Sequence, residues 1–402
     1  MTLLPVIEAE TPTLPVAAEA LLPVYSRFPV EIARGEGTRL FDAAGRRYLD
    51  FTSGIGVNAL GYGDAGIAAA AIGALESGVL HTSNLFHTAP ARALAESLVA
   101  RSFASSVFFC NSGAEANEGA FKFARRWARE VGGAEKHEII ALRGGFHGRL
   151  FASLAATDRP QYRAPFRPLA GGISIVERDL RDLARLLDER TVAAVIVEPV
   201  QGEGGVRVLD AAFLTALRVL TRERGIALIF DEVQCGLGRT GWLFAYERAD
   251  VVPDVVTLAK PLAGGLPMGA VLLSAEIANA VQPGDHGTTF GGGPFVSTVA
   301  AHIFDRLSDP ALLARVRENG AWLGAALHEL AARCDVIRAV RGVGYMWGID
   351  VTRVAREVLA QARDEGLLLL TAGEYTVRLL PPLIATRAEL AEGVELLERA
   401  LA

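Results

Sequence analysis

Residues 226–234 read IALIFDEVQ: five apolar positions in succession, then an acid, Asp231. A strand with one wet face alternates apolar and polar residues, so an unbroken apolar run of this length fits a strand covered on both faces. Five other runs share the texture: SVFFC (106–110), EIIAL (138–142), ISIV (173–176), VAAVIV (192–197) and VVTL (255–258). Between them lie helical stretches; in residues 115–130, Ala120, Phe123, Ala124 and Trp127 fall on one face. The alternation predicts an α/β fold built on a large, mostly parallel sheet with crossover helices.

The two ends of the chain read differently. The first 25 or so residues, with Pro5, Pro12, Pro15 and Pro23, read as a loosely held arm. Residues 31–52 are short strands punctuated by Gly35, Gly37 and Gly45 at hairpin spacing. From about residue 294 a long helical stretch is followed by strand-like pieces, VIRAVRGVGYMWGIDV (336–351), GLLLL (366–370) and TVRLLPP (376–382), and a last helix. The expected organisation is a small α+β domain made from both chain ends with the large domain inserted. Residues 1–57 form the arm and the first part of the small domain, 58–296 the large domain, and 297–402 the rest of the small one. We find no internal repeat, heptad pattern or low-complexity tract.

Composition bounds the function. With 402 residues, 51% hydrophobic and 21% charged, the chain can bury a large core, which excludes disorder. A net charge of -6, with no basic runs beyond pairs such as Arg125-Arg126, offers no footprint for nucleic acid. No run of 18 uninterrupted apolar residues is present, and the start of the chain lacks a positively charged segment ahead of an apolar one. A cytoplasmic protein away from membranes is the expectation. Cys110, Cys235 and Cys334 are odd in number and scattered, so neither a disulfide framework nor a metal site is expected.

In α/β sheets ligands sit beyond the carboxyl ends of the strands, so the residues after each run are the candidates. After SVFFC come Asn111, Ser112, Gly113 and Ala114, then a helix: an anion site, or an ordinary turn capped by Ser112. After EIIAL the Gly-rich loop holds Phe146, His147 and Arg149, a stacking face and a carboxylate clamp, or core packing and a solvated arginine. Glu198 follows VAAVIV; an N-cap or an ion pair would explain it equally well. Asp231 should be buried, which is costly unless it meets a cation. After VVTL comes Lys260, followed by small and apolar residues that would desolvate it and free its amine. Only three lysines exist, and Lys122 (inside a helix) and Lys136 (in a polar loop) stand elsewhere.

An anion-binding helix start, a stacking aromatic, a buried acid and a strand-end lysine together are what pyridoxal phosphate requires. The lysine forms the Schiff base, the acid keeps the pyridine nitrogen protonated, and the phosphate docks on N–H groups. A competing motif is Gly236-Leu237-Gly238-Arg239-Thr240-Gly241, the dinucleotide pattern G-x-G-x-x-G. It begins six residues after its strand run and leads into WLFAYE, which alternates rather than opening a helix, and no suitable acid follows about 20 residues on. A nicotinamide-dependent dehydrogenase is therefore disfavoured.

From about Val24 to its end the chain resembles the class III (ω-amino acid) aminotransferases of fold type I. The resemblance is carried in order by RGEGTRLFDAAGRRYLDFTSGIGVNALG (34–61), HTSNLF (81–86), NSGAEANEGAFKFARRW (111–127), GGFHGR (144–149), EPVQGEGGV (198–206), LIFDEVQCGLGRTG (228–241), VTLAKPLAGGLPMGA (256–270), HGTTFGGGP (286–294) and VRLLPPL (377–383). Two departures occur: Gly293 stands where the family has Asn, and Leu60-Gly61-Tyr62-Gly63-Asp64-Ala65 replaces LGH-x-HP. The resemblance implies that Lys260 holds the cofactor and shuttles the substrate proton. It implies that Asp231 pairs with the pyridine nitrogen, Gln234 bonds the ring hydroxyl and Phe146 stacks on the ring. Ser112, Gly113 and Ala114 would bind the phosphate, with Thr289 (or Thr288) coming from the second subunit of a homodimer with shared active sites. Arg378 would bind the α-carboxylate of glutamate or 2-oxoglutarate and pair with Glu198 when the other substrate is present; Arg149 would bind the second carboxylate.

Within the family, GIGVNALG, HTSNLF, GGFHGR and VRLLPPL point to the branch acting on N-acylated ornithine. The implied reaction moves its terminal amino group to 2-oxoglutarate, giving the semialdehyde and glutamate in arginine biosynthesis. Alternatives are ornithine, succinylornithine, 4-aminobutyrate, acetyl-lysine or a carrier-protein-linked amine of lysine biosynthesis as donor, or an aminomutase on the same fold.

Overall fold

A computed structural model describes residues 20–188 and 191–402; residues 1–19 of the proline-rich arm lie outside the described residues. All six apolar runs become strands: Ser106–Cys110, Glu138–Leu142, Ile173–Val176, Val192–Val197, Ala227–Asp231 and Val255–Leu258. A seventh strand, Gly269–Leu273, is not among the runs read from the sequence. It lies antiparallel between Val255–Leu258 and Ser106–Cys110, while the next four strand pairs are parallel. The order across the sheet is 106–110, 269–273, 255–258, 227–231, 192–197, 138–142, 173–176.

Unbroken apolarity has the cause expected. In Ala227–Asp231, Ala227 and Ile229 join one apolar cluster with Ala120 and Phe123 of the helix Gly113–Gly132, while Leu228 and Phe230 join another with Leu214 and Leu217 of the helix Ala211–Glu223. Both faces are dry, so neither tolerates a polar residue. Asp231 is the last residue of its strand, in register with Thr257, and is therefore delivered to the sheet's carboxyl edge by backbone pairing.

Segments from the N-terminal and C-terminal parts of the chain meet in one sheet. Antiparallel strands Ile32–Glu36, Arg39–Asp42 and Arg47–Asp50 are completed by Leu367–Leu368, parallel to Arg47–Asp50. A second antiparallel sheet joins Ile337–Val343, Met346–Val351, Thr376–Leu379 and Leu370–Thr371. The molecule is α/β, with a smaller α+β part drawn from both ends, as the sequence predicts. The helix Pro294–Leu307 runs unbroken through the residue 296–297 border expected from the sequence.

The last helix, Arg387–Leu401, seals the N-terminal segment. A Cβ at Gly393 would sit 2.2 Å from the ring of Phe51, which is fully buried. Gly393→Ala is therefore expected to lower the melting temperature, because overpacking of about 1–3 kcal/mol exceeds the gain of up to about 1 kcal/mol in helix propensity. An unchanged or raised melting temperature would show that the ring can shift freely.

Candidate active site

A cavity of about 650 Å³ opens where the parallel strands end. On one wall the helix Gly113–Gly132 begins. Ser112 Oγ accepts from the Glu115 N–H at 3.2 Å, and the Glu115 carboxylate returns to the Asn111 N–H at 2.8 Å. With that cap, the N–H groups of Gly113 and Ala114 have no hydrogen-bond partner among the described residues; they stand at the cavity wall, at the positive end of a 20-residue helix.

Asp231 lies at the floor of the cavity and is buried. Its Oδ2 accepts from Asn117 Nδ2 at 2.8 Å and lies 2.8 Å from His147 Nδ1, and its Oδ1 accepts from the Val233 N–H at 3.1 Å. Asn117 is the hub: its Nδ2 also donates to the His147 carbonyl at 2.7 Å, and its Oδ1 accepts from Thr257 Oγ1 at 2.8 Å. A buried carboxylate held by this many partners has one orientation.

Lys260 starts a short 3₁₀ turn, Lys260–Ala263, with φ at 40°, a left-handed conformation that costs free energy in a residue with a side chain. The strain aims the side chain into the cavity, and among the described residues its amine has no hydrogen-bond partner. Desolvation pushes the ammonium below its ordinary range, opposed by the Asp231 and Glu203 carboxylates.

Phe146 and Glu198 are tied together: Glu198 accepts from the N–H groups of Phe146 at 2.8 Å and Gly202 at 3.1 Å. Burial pushes the Glu198 carboxyl up to about 7, with His147 acting in the opposite sense. The Arg149 guanidinium lies 3.6 Å from the ring centroid of Tyr162, a cation–π contact at the cavity rim. Arg378, buried on Thr376–Leu379, donates through Nη1 to Gln234 Oε1 at 2.9 Å and lies with Nη2 2.7 Å from Glu203 Oε1.

A model of the family described as aminotransferase class-III matches residues 23–401. The chain belongs to the class-III aminotransferase family. The mitochondrial acetylornithine aminotransferase of Alnus glutinosa is 45% identical over 390 residues, covering 96% of this chain and 86% of that protein. The acetylornithine aminotransferase of Methanocaldococcus jannaschii is 42% identical, covering 91% and 92%. Among solved structures, the N-acetylornithine aminotransferase of Stenotrophomonas maltophilia is similar with a TM-score of 0.81 at 37% identity, covering 94% of this chain and 96% of that one. The ornithine aminotransferase of Toxoplasma gondii superposes with a TM-score of 0.91 at 29% identity, covering 95% and 92%.

This class-III aminotransferase is thus an enzyme whose cofactor is pyridoxal phosphate. The donor set fits that group: a lysine amine and helix-start N–H groups that have no hydrogen-bond partner among the described residues, and a buried carboxylate, all belong to residues lining one cavity. Ser112, Gly113, Ala114, Phe146, Arg149, Glu198, Asp231, Gln234 and Lys260 all line it.

One expected pairing, that of Arg378 with Glu198, meets a different geometry. The carboxylate on Arg378 belongs to Glu203, not Glu198, because Glu198 at its strand end is turned into the amides of Phe146 and Gly202. Gln234 here accepts from Arg378. Thr289 is exposed and absent from the cavity wall, while Thr288 Oγ1 accepts from Asn111 Nδ2 at 2.9 Å. Sequence reasoning passed over Glu203, Asn117, Tyr162 and the partnership of His147 with Asp231; only Glu203, an acid among glycines, carries a local signal. The dinucleotide-like run Gly236–Gly241 lies in turns, and its Arg239 is fully buried, donating to the carbonyls of Tyr345 and Pro381. Among the described residues no helix is long and apolar enough to cross a membrane, and no group of three or more His, Cys, Asp or Glu is placed to hold a metal ion.

Proposed function

We propose that this enzyme moves the terminal amino group of N2-acetylornithine to 2-oxoglutarate, giving N-acetylglutamate 5-semialdehyde and glutamate. The relatives named acetylornithine aminotransferase support the substrate. The observation that carries the reading is the ion pair between Arg378 and Glu203, whose carboxylate-bearing residue lines the cavity. A buried arginine covered by a carboxylate on a loop can be neutral toward one substrate and cationic toward the next. An enzyme that alternates an apolar-approaching amine with a dicarboxylic acid needs that property.

When bound, pyridoxal phosphate supplies an electron sink for the amine-bearing carbon. Ser112 and the N–H groups of Gly113 and Ala114 hold its phosphate, and Phe146 packs on its ring. Asp231, held by Asn117 and His147, keeps a proton on the pyridine nitrogen. Lys260 holds the cofactor covalently at rest, and its freed Nζ takes and returns the substrate proton. Arg378 binds the α-carboxylate of glutamate or 2-oxoglutarate once Glu203 swings aside, and Arg149, braced on Tyr162, binds the distal carboxylate or the α-carboxylate of acetylornithine. Glu198 joins the Phe146 loop to the Glu203 loop. A second copy of the chain completes the site with Thr289. The highly exposed Leu85, Phe86 and Phe290, at 90, 70 and 65% accessible, support a homodimer. The enzyme works in the cytoplasm.

Mixing the holoenzyme in turn with acetylornithine, ornithine, 4-aminobutyrate and acetyl-lysine, without keto acid, tests the reading through the cofactor's visible band. Acetylornithine is expected to bleach the band fastest and 2-oxoglutarate to restore it. Bleaching by glutamate alone would replace the free amine with a larger donor, such as a carrier-bound one. Arg378→Ala is expected to weaken the glutamate half-reaction roughly 100-fold, more than the acetylornithine one, since a buried charge pair to the substrate is worth about 2–5 kcal/mol. Equal damage to both half-reactions would contradict the assignment.

A further inference from the structure

Glu203 sits in Gly202-Glu203-Gly204-Gly205, a composition that by itself leaves the backbone free. The structure holds it. Three successive carbonyls each accept from an arginine: Glu203 O from Arg159 Nη2, Gly204 O from Arg207 Nε at 3.2 Å, and Gly205 O from Arg341 Nε at 2.5 Å. Two of these guanidinium groups come from distant parts of the chain. Arg159 follows Thr157, whose hydroxyl accepts from the His147 N–H at 2.9 Å. Arg341 belongs to Ile337–Val343 of the small sheet, where its other nitrogens fork onto Asp350 at 2.6 and 2.7 Å. Close packing restrains the same loop: a Cβ on Gly204 would lie 2.5 Å from the Gly144 carbonyl, and one on Gly202 1.9 Å from Gln234 Oε1. The Glu203 side chain makes only its ion pair with Arg378 among the described contacts, so its position is set by its backbone.

We propose that Arg159 and Arg341 are positioning residues for the Glu203 carboxylate. By holding the carbonyls of Glu203 and Gly205 they fix the carboxylate over Arg378, and so set how the site divides itself between amine donor and dicarboxylic acid. The proposal rests on the transaminase reading above. Charge-assisted hydrogen bonds to carbonyls are stronger than neutral ones, and removing one frees a glycine-flanked loop to carry Glu203 away. The consequence has a sign: the covered arginine favours the monocarboxylate amine, and the uncovered one favours the diacid.

The test compares holoenzyme half-reactions, rate constant over KM, with acetylornithine and with glutamate. Glu203→Gln sets the reference shift in their ratio. Arg159→Met and Arg341→Met are expected to shift the ratio in the same direction, toward glutamate, by about tenfold. Arg159→Lys, which can still donate to a carbonyl, is expected to restore most of it. In a Glu203→Gln background Arg159→Met is expected to leave the ratio unmoved, because the carboxylate it positions is gone. Equal losses in both half-reactions, or an undiminished effect in the Glu203→Gln background, would overturn the proposal. A ratio shifted by Glu203→Gln but by neither arginine variant overturns the proposal alone; a ratio unmoved by Glu203→Gln removes the charge-switch reading and the proposal with it. Should Arg341→Met not fold, since it leaves the Asp350 carboxylate with only the Thr376 hydroxyl of its present partners, Arg159→Met carries the test.

Discussion

Lys260→Ala is expected to lower turnover by about 10⁴-fold or more, because the change removes both the covalent attachment and the base that moves the substrate proton. Neither remaining lysine can take over. Lys122 Nζ donates to the Asp285 carbonyl at 2.9 Å and lies 2.9 Å from His286 Nδ1, and Lys136 Nζ is spent on the carbonyls of Arg224 and Gly225. The N–H groups of Gly113 and Ala114 and the Asp231 carboxylate stay in place, so the variant should still bind pyridoxal phosphate, reversibly and more weakly. Two measurements check this: single-turnover rates followed at the cofactor's visible band, and reduction with borohydride, which should leave no label on the peptide containing position 260. Near-native turnover, or a label elsewhere in the chain at full activity, would remove Lys260 from its role.

Asp231→Asn is expected to keep the cofactor bound while slowing proton abstraction by roughly 10² to 10³-fold, the scale of losing one preorganised charge interaction with the reacting system. The amide nearly matches the carboxylate in shape, and its oxygen can still accept from Asn117, from which the carboxylate accepts at 2.8 Å. It brings no negative charge to the pyridine nitrogen or to His147, whose Nδ1 lies 2.8 Å from Oδ2. The signature is therefore a fall in the half-reaction rate with little change in cofactor affinity, read by stopped-flow absorbance with acetylornithine. A rate within a fewfold of wild type would mean that the ring nitrogen needs no anionic partner.

The apolar runs were legible because burial on both faces leaves a purely local mark: every position along Val192–Val197 is buried, and each is Val, Ala or Ile. Gly269–Leu273 escaped, since its glycine start breaks the apolar run and it lies antiparallel to both neighbours, a placement no local pattern announces. The candidate site was legible to the same depth. Asp231 ends its strand and Lys260 follows the end of the neighbouring strand by two residues, and strand ends fall together at one edge of a parallel sheet, so their meeting followed from the alternation of strands and helices.

The sequence by itself therefore determined six of the sheet's seven strands, the residues brought to its carboxyl edge and, through its ordered motifs, the family. Tertiary structure alone decided the partners of the charges. Glu198 and Glu203 stand five residues apart, and either could have met Arg378. The choice was made by the amides of Phe146 and Gly202 taking Glu198, and by Arg159 and Arg341 clamping the loop that presents Glu203. The Asn117–Asp231–His147 network likewise joins three separate segments. Burial pattern is a property of one segment, whereas a buried charge is satisfied by whichever donors the folded backbone brings within about 3 Å, and those donors lie far away in the chain.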